Sequence, residues 1–206
     1  MPHAASIESL LGEAAWRRLP AAVRSRFPDP AVTVDYVGEF EIVRASILGR
    51  FIAWFCLLLG TPVVARTGKH IPAVVRVGPT DRGVTWNREY QWPGSAACIV
   101  RSTKVIGADG TLVEELPARL CMPLEVYESG GILHFVSRGY YFNLGLWHLW
   151  LPHALSPGTT HVEHQDEGHG WFRFTMTVTH PLFGELFYQT GRFCAARGVT
   201  CSQSSR

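Results

Sequence analysis

The chain has 206 residues, 47% of them apolar and 17% charged, with a formal net charge of +2. This is the length of one domain with a sizeable core, and the composition excludes general disorder. Only Lys69 and Lys104 are lysines and no Lys/Arg run exists, so the basic footprint of a nucleic-acid binder is missing.

Ser6 to Arg26 predicts helix within an N-terminal segment of residues 1–30. Leu10, Leu11, Trp16 and Leu19 share a stripe, Pro20 punctuates it, and Pro28 and Pro30 end it. Thr33 to Arg44 alternates as a strand. Ser46 then caps a helix running to Leu59, with Gly60 and Pro62 as its stop signal. The run from Phe51 to Leu59 is the most apolar of the chain but too short to cross a bilayer. A buried helix is the leading reading, and membrane-surface contact by an anchoring helix the lesser one.

From His70 onward the pattern is nearly all strand: Pro72–Val77, Val84–Trp92, Ala97–Ile106, Thr111–Glu115, Arg119–Glu128, Ile132–Phe142, Thr159–Gln165, Trp171–Thr179 and Glu185–Phe193. Asn143 to Pro157, with Trp147, Trp150, Pro152 and Pro157, reads as a loop, and the polar tail 196–206 as frayed. Gly78–Gly83, Ala108–Gly110, Ser129–Gly131, Asp166–Gly168 and His180–Gly184 are turn signals. Turns this short join antiparallel neighbours. The expected fold is therefore mainly β, a single antiparallel up-and-down β-barrel of calycin or lipocalin type, with an N-terminal helix and a helical insertion after the first strand.

The five cysteines are odd in number and show no CxxC pair, and Met1 to Phe27 lacks the order of a signal peptide. The expectation is a cytoplasmic protein with reduced thiols.

Dispersed motifs run through the chain. They include Leu11-Gly12-x3-Trp16-x2-Leu19-Pro20, Trp86-x-Arg88-x-Tyr90, Leu151-Pro152-x3-Ser156-Pro157 and Gly170-x-Phe172-x-Phe174. The most specific is His180-Pro181-Leu182-x-Gly184-x4-Tyr188-x2-Gly191. In this order they resemble the DUF4166 family, a domain of unknown function, from about Leu10 to Phe193. The resemblance implies a place in small-molecule metabolism and no established reaction. Members of the family stand alone or follow Rossmann-type reductase domains. This chain has no GxGxxG and reads as the stand-alone form, with a reductase as a partner the resemblance suggests. Where the family commonly has Glu-x2-Gly-Pro, this chain has Glu115-Leu116-Pro117-Ala118-Arg119.

Trp86, Arg88, Tyr90 and Trp92 share one strand face. If that face is the lumen, Arg88 is a cation among aromatics and anchors the polar group of a greasy ligand. It is otherwise paired to an internal Glu or lies outside. His161, Glu163 and Gln165 share a face on their strand, and an inward Glu163 would be an acid/base group or the partner of Arg88. Tyr188 and His180 are candidate hydrogen-bond donors, although His180 also reads as a fixture of its turn. Of the adjacent Tyr140 and Tyr141 one must face inward. Tyr141 joins Trp86, Tyr90 and Phe174 as the predicted substrate-contacting wall. His161 and His164, three apart on a strand, face opposite ways, there is no HExxH, and no metal or cofactor is expected.

Three functions remain. The first is an enzyme that folds a hydrophobic small molecule in the lumen and carries out cofactor-free cyclisation, isomerisation or epoxide opening, with Glu163, Arg88, Tyr188 and His180 as its catalytic groups. The second is a non-catalytic carrier of a hydrophobic metabolite. The third is an accessory domain that docks onto a reductase through an exposed patch holding Trp147 and Trp150.

Overall fold

The structure is a computed structural model that describes residues 6–27, 32–58, 66–107 and 109–196. The predicted frayed tail lies outside the described residues apart from Ala196. Three short helices come first: α1 (Ile7–Leu11), α2 (Glu13–Arg18) and α3 (Ala21–Arg24). The single helix expected over Ser6–Arg26 is broken twice. Gly12 has φ +76°, outside the right-handed helical region, and Pro20 caps α3 rather than continuing α2. Reciprocal hydrogen bonds between Ser6 and Ser9 close a capping box on α1.

Strand β1 (Val34–Ala45) leads into α4 (Ile47–Leu58), whose start Ser46 caps by accepting from the Gly49 N–H at 3.0 Å. Next come β2 (Gly68–Thr80), β3 (Gly83–Tyr90), β4 (Cys98–Ile106) and β5 (Leu112–Glu115). A 3-10 turn at Pro117–Arg119 precedes β6 (Leu120–Ser129) and β7 (Ile132–Ser137). The strand expected over Ile132–Phe142 does not run on. The chain turns at Gly139, φ +135°, and Tyr141–Asn143 returns as β8 beside the start of β6. Part of the predicted loop is also strand, because β9 (His148–Trp150) pairs with β8 as a hairpin. The chain ends in β10 (Thr159–Gly168), β11 (Trp171–His180) and β12 (Gly184–Ala195).

All pairings are antiparallel. The order is β5-β4-β3-β2-β1-β12-β11-β10-β7-β6, and β5 pairs with β6 to close a ten-stranded barrel. The β8–β9 hairpin extends from β6 outside the ring. Closure leaves the ring no free edge, which is how all-β proteins avoid edge-to-edge association.

The N- and C-terminal strands meet at the seam between β1 and β12. Gly38 pairs with Phe193, and Phe40 with Gly191, just before a bulge at Glu41. Both glycines are required by close backbone approach. A Cβ on Gly38 would sit 1.9 Å from the Arg192 carbonyl oxygen, and one on Gly191 would sit 2.3 Å from that of Glu39.

The barrel has two unlike ends. One carries the turns β2–β3, β4–β5, β6–β7 and β10–β11, and the N-terminal helices plug it. Leu19 and Val23 are buried there, and Phe27 packs its ring on Trp86, Phe135 and His164 with centroids 5.0–6.0 Å apart. The other end carries α4, the β8–β9 hairpin and the β11–β12 turn. This end is the mouth. Cys98 and Cys121 are free thiols, whereas Cys194 is disulfide-bonded, against the expectation of reduced cysteines throughout. No helix among the described residues is long and apolar enough to cross a membrane.

The seam carries a prediction. Gly38→Ala and Gly191→Ala should each destabilise the fold by about 2 kcal/mol, the usual cost of overpacking. Urea unfolding reads this as a lower midpoint, and an unchanged midpoint would show that the seam relaxes freely.

Candidate functional site

Inward positions follow from strand parity. On β3 they are Trp86, Arg88 and Tyr90, and on the neighbouring β4 they are Val100, Ser102 and Lys104. A cavity of about 150 Å³ opens beneath α4 and is walled mainly by apolar side chains, among them Val100, Met122, Val162 and Phe187. Arg88, Glu114, Tyr90, Gln189 and the hydrogen-bonded pair Tyr140 and Thr160 are its polar lining residues. A second cavity of about 10 Å³ lies next to it, walled by Trp86, His164, Phe172 and Phe174. Arg88 lines both.

A charged cluster is built around Arg88. Its guanidinium donates to Ser102 Oγ at 3.1 Å and stands 3.7 Å from Glu114 Oε1. Lys104 Nζ donates to the other Glu114 oxygen at 2.9 Å. All three side chains are about nine-tenths buried. Burial alone would raise the Glu114 carboxyl. Lys104 and Arg88 nearby, with hydrogen bonds from Ser102 and Lys104, outweigh it and hold the group at about 2. Burial lowers Lys104, with Glu114 opposing. The cluster therefore sets two basic side chains against one carboxylate. Arg88 spends one of its five N–H donors in a hydrogen bond within the protein and turns toward the cavity.

His164 is buried in the wall of the small cavity. Burial, and then the cations Arg26, Lys104 and Arg88, lower it well below the ordinary histidine value, so its ring is neutral at pH 7. Its Nδ1 is buried with no hydrogen-bond partner. Tyr90 donates to Gln189 Oε1 at 2.9 Å, and burial pushes its phenol up to about 12.

The predicted residues divide between the two faces of the barrel. Trp86, Arg88, Tyr90 and Phe174 face the lumen. Glu163 does not. On β10, Thr160, Val162 and His164 point inward, so Glu163 lies on the outer face, with its side chain 37% exposed and 3.5 Å from His134. Tyr188 is also outside, beneath the Arg44 guanidinium at 4.6 Å, because Phe187 and Gln189 are the inward residues of β12. His180 is buried and accepts the Leu182 N–H at 3.1 Å, which fixes its turn. Of the two tyrosines, Tyr140 lines the cavity, while Tyr141 packs on His148 and Trp150 in the β8–β9 hairpin. Glu114, Lys104 and Gln189 escaped the sequence reading, which weighed His164 only as a metal ligand. Lys104 and Glu114 were discoverable as polar residues at inward parity on otherwise apolar strand faces.

The family profile of DUF4166, a domain of unknown function, matches residues 19–193. The chain belongs to the DUF4166 family. The DUF4166 match takes in all twelve strands except the last two residues of β12, and so every residue of the cavity and its charged cluster. No curated protein and no solved structure matches this DUF4166 chain.

The cluster predicts an acid-dependent stability. The folded Glu114 value of about 2 lies below its ordinary 4.5, so its contribution is complete above that ordinary value and is lost as pH falls toward 2. Glu114→Gln should flatten the stability-versus-pH slope in that window, measured by urea unfolding across pH. Equal slopes in both proteins would mean that Glu114 is not held ionised.

Proposed function

We propose that this protein binds an apolar small molecule in the barrel, with an anionic or hydrogen-bond-accepting group of the ligand held by Arg88. The observation that carries this reading is the guanidinium at the boundary of an apolar cavity, in a cluster with more basic groups than carboxylates. A buried cation is costly unless compensated. Glu114 is shared with Lys104 at the shorter distance, which leaves Arg88 the less neutralised of the two cations. A ligand anion would complete the charge balance, and the apolar wall would take up the rest of the molecule.

Chemistry on the ligand is the second reading, and His164 favours it. A neutral imidazole with an unpartnered Nδ1 beside Arg88 suits a hydrogen-bonding group that orients or polarises a reacting ligand in cofactor-free isomerisation or cyclisation, its lowered basicity disfavouring full proton transfer to it. On this reading the role expected of Glu163, on the outer face, passes in this weaker form to His164. Arg88 would stabilise charge developing on a carbonyl or epoxide oxygen.

Anilinonaphthalene sulfonate, an apolar anion, and a neutral apolar dye separate these contributions. Arg88→Met should weaken the anion by about tenfold or more, as expected for loss of a charge-assisted hydrogen bond, and leave the neutral dye nearly unchanged. Equal losses for both dyes would refute the anchoring role. For the enzyme reading, the protein is incubated with a hydrophobic extract and followed by mass spectrometry. A product isomeric with a consumed compound, absent with His164→Gln, supports catalysis. Bound compound returned unchanged supports a carrier.

A further inference from the structure

The mouth is the most apolar part of the surface. Ten of the fourteen large apolar side chains exposed among the described residues belong to it. Ile47 and Phe51 stand on α4, Leu146 and Trp147 at the tip of the β8–β9 hairpin, and Leu182 and Phe183 on the β11–β12 turn. Leu146 is 98% exposed, Trp147 76% and Leu182 72%. A patch of this kind on a soluble surface marks an interaction site.

Charge identifies the partner. The described connections at this end, residues 46–58, 66–67, 91–97, 116–119, 138–158 and 181–183, carry Arg50, Arg66, Arg119 and Arg138 and not one Asp or Glu. Arg138 pairs with Glu125 of β6, whereas Arg50, Arg66 and Arg119 are exposed and make no ion pair among the described residues. The turns at the plugged end hold Asp81 and Asp109 beside Arg82.

We propose that the mouth docks on an anionic lipid bilayer. Trp147, Leu146, Phe51 and Leu182 insert at the level of the headgroups, Arg50, Arg66 and Arg119 meet lipid phosphates, and the apolar ligand passes between bilayer and cavity. Exposed tryptophan and leucine among arginines, with Glu115 and Glu185 on the flanking strand ends each already paired with an arginine, is the composition of interfacial membrane anchors. The passage of ligand rests on the binding function proposed above; the docking does not.

The test is co-sedimentation with vesicles of phosphatidylcholine alone and of phosphatidylcholine with phosphatidylserine. The protein should sediment with the anionic vesicles about tenfold more strongly than with the neutral ones, and added salt should release it. Leu146→Ser/Trp147→Ser changes only exposed side chains and should abolish sedimentation, while Arg50→Glu/Arg119→Glu should remove the preference for anionic vesicles. Failure to bind any vesicle overturns the proposal. A self-associating protein that ignores vesicles, or a reductase that binds the mouth in place of vesicles, overturns it in favour of a protein interface. Anilinonaphthalene sulfonate binding is measured on the same variants. Vesicle binding without dye binding would keep the docking and reject the lumen function, and the reverse would keep the lumen function alone.

A second cluster, outside the lumen, carries an independent inference. His134 on β7 and His161 and Glu163 on β10 meet across the strand pair. His134 Nδ1 lies 3.0 Å from His161 Nε2 and 3.5 Å from Glu163 Oε1, and the last two atoms are 3.9 Å apart. The point equidistant from these three atoms lies about 2 Å from each, the length of zinc–nitrogen and zinc–oxygen bonds. Tyr127 stacks on His134 with centroids 4.6 Å apart and holds its ring, while His161 and Glu163 are one-third exposed, so solvent reaches the site.

We infer that His134, His161 and Glu163 bind a divalent ion of the zinc type, with water completing its coordination. Two imidazoles and a carboxylate suit Zn²⁺ and Co²⁺ and discriminate against Mg²⁺ and Ca²⁺. Untagged protein titrated with Co²⁺ should bind one equivalent with the absorption of a four-coordinate ion, and Zn²⁺ should displace it. Zn²⁺ should also raise the Tm of the wild type. His161→Ala and Glu163→Gln should each weaken Zn²⁺ binding by about tenfold or more. Wild type and His161→Ala binding Zn²⁺ equally, or no binding by the wild type, overturns the site.

Discussion

Closure of the barrel is the constraint on which everything else depends. Ten strands form a ring only because β1 and β12, from opposite ends of the chain, approach closely enough to pair. Gly38 and Gly191 make that approach, each with a partner carbonyl where a Cβ would stand. Once the ring is closed, side-chain parity is fixed all the way round, and a polar residue at inward parity has no route to solvent. Arg88, Lys104 and Glu114 must therefore answer one another in the interior.

Such a cluster is not an efficient source of stability. Each charge loses its hydration, and the mutual attraction of a buried set returns only part of that loss. An apolar residue at each position would give a barrel filled with side chains, as in many small barrels. Here the wall around the cluster stays open as a cavity, and Arg88 keeps most of its donors outside the protein's own hydrogen bonds. A cost of this kind at the boundary of an unfilled space is characteristic of sites built for a ligand rather than for the fold.

The strands were legible because alternation and turn residues agree along most of the chain. That Trp86, Arg88 and Tyr90 share one face was legible for the same reason. Parity itself was not legible, since a period of two says which residues share a face and not which face is inside. On β10 that choice sent Glu163 out and His164 in, and on β12 it sent Tyr188 out and Gln189 in. Bulges hide the choice further, as at Glu41 on β1 and at Leu186 on β12, opposite Val178 and Thr179. Pairings across the sheet were beyond reach. The distance between Lys104 and Glu114, or between His134 and His161, depends on register and not on spacing along the chain.

The two ends of the barrel give the molecule a direction. The N-terminal helices fill one end down to Phe27, so the proposed ligand would have to reach the cavity from the side of the mouth. Arg88 lies inside, and the rim is apolar. A molecule with one polar group must then enter with that group leading if it is to reach the guanidinium, its apolar part trailing toward the rim. An amphiphile in a bilayer already has this orientation, with its polar group at the surface and its apolar part below. A mouth seated on the headgroups would meet the polar group first. The buried cation, the apolar wall and the apolar, arginine-bearing rim thus favour the same proposed ligand in the same orientation, although the three features arise from separate parts of the chain.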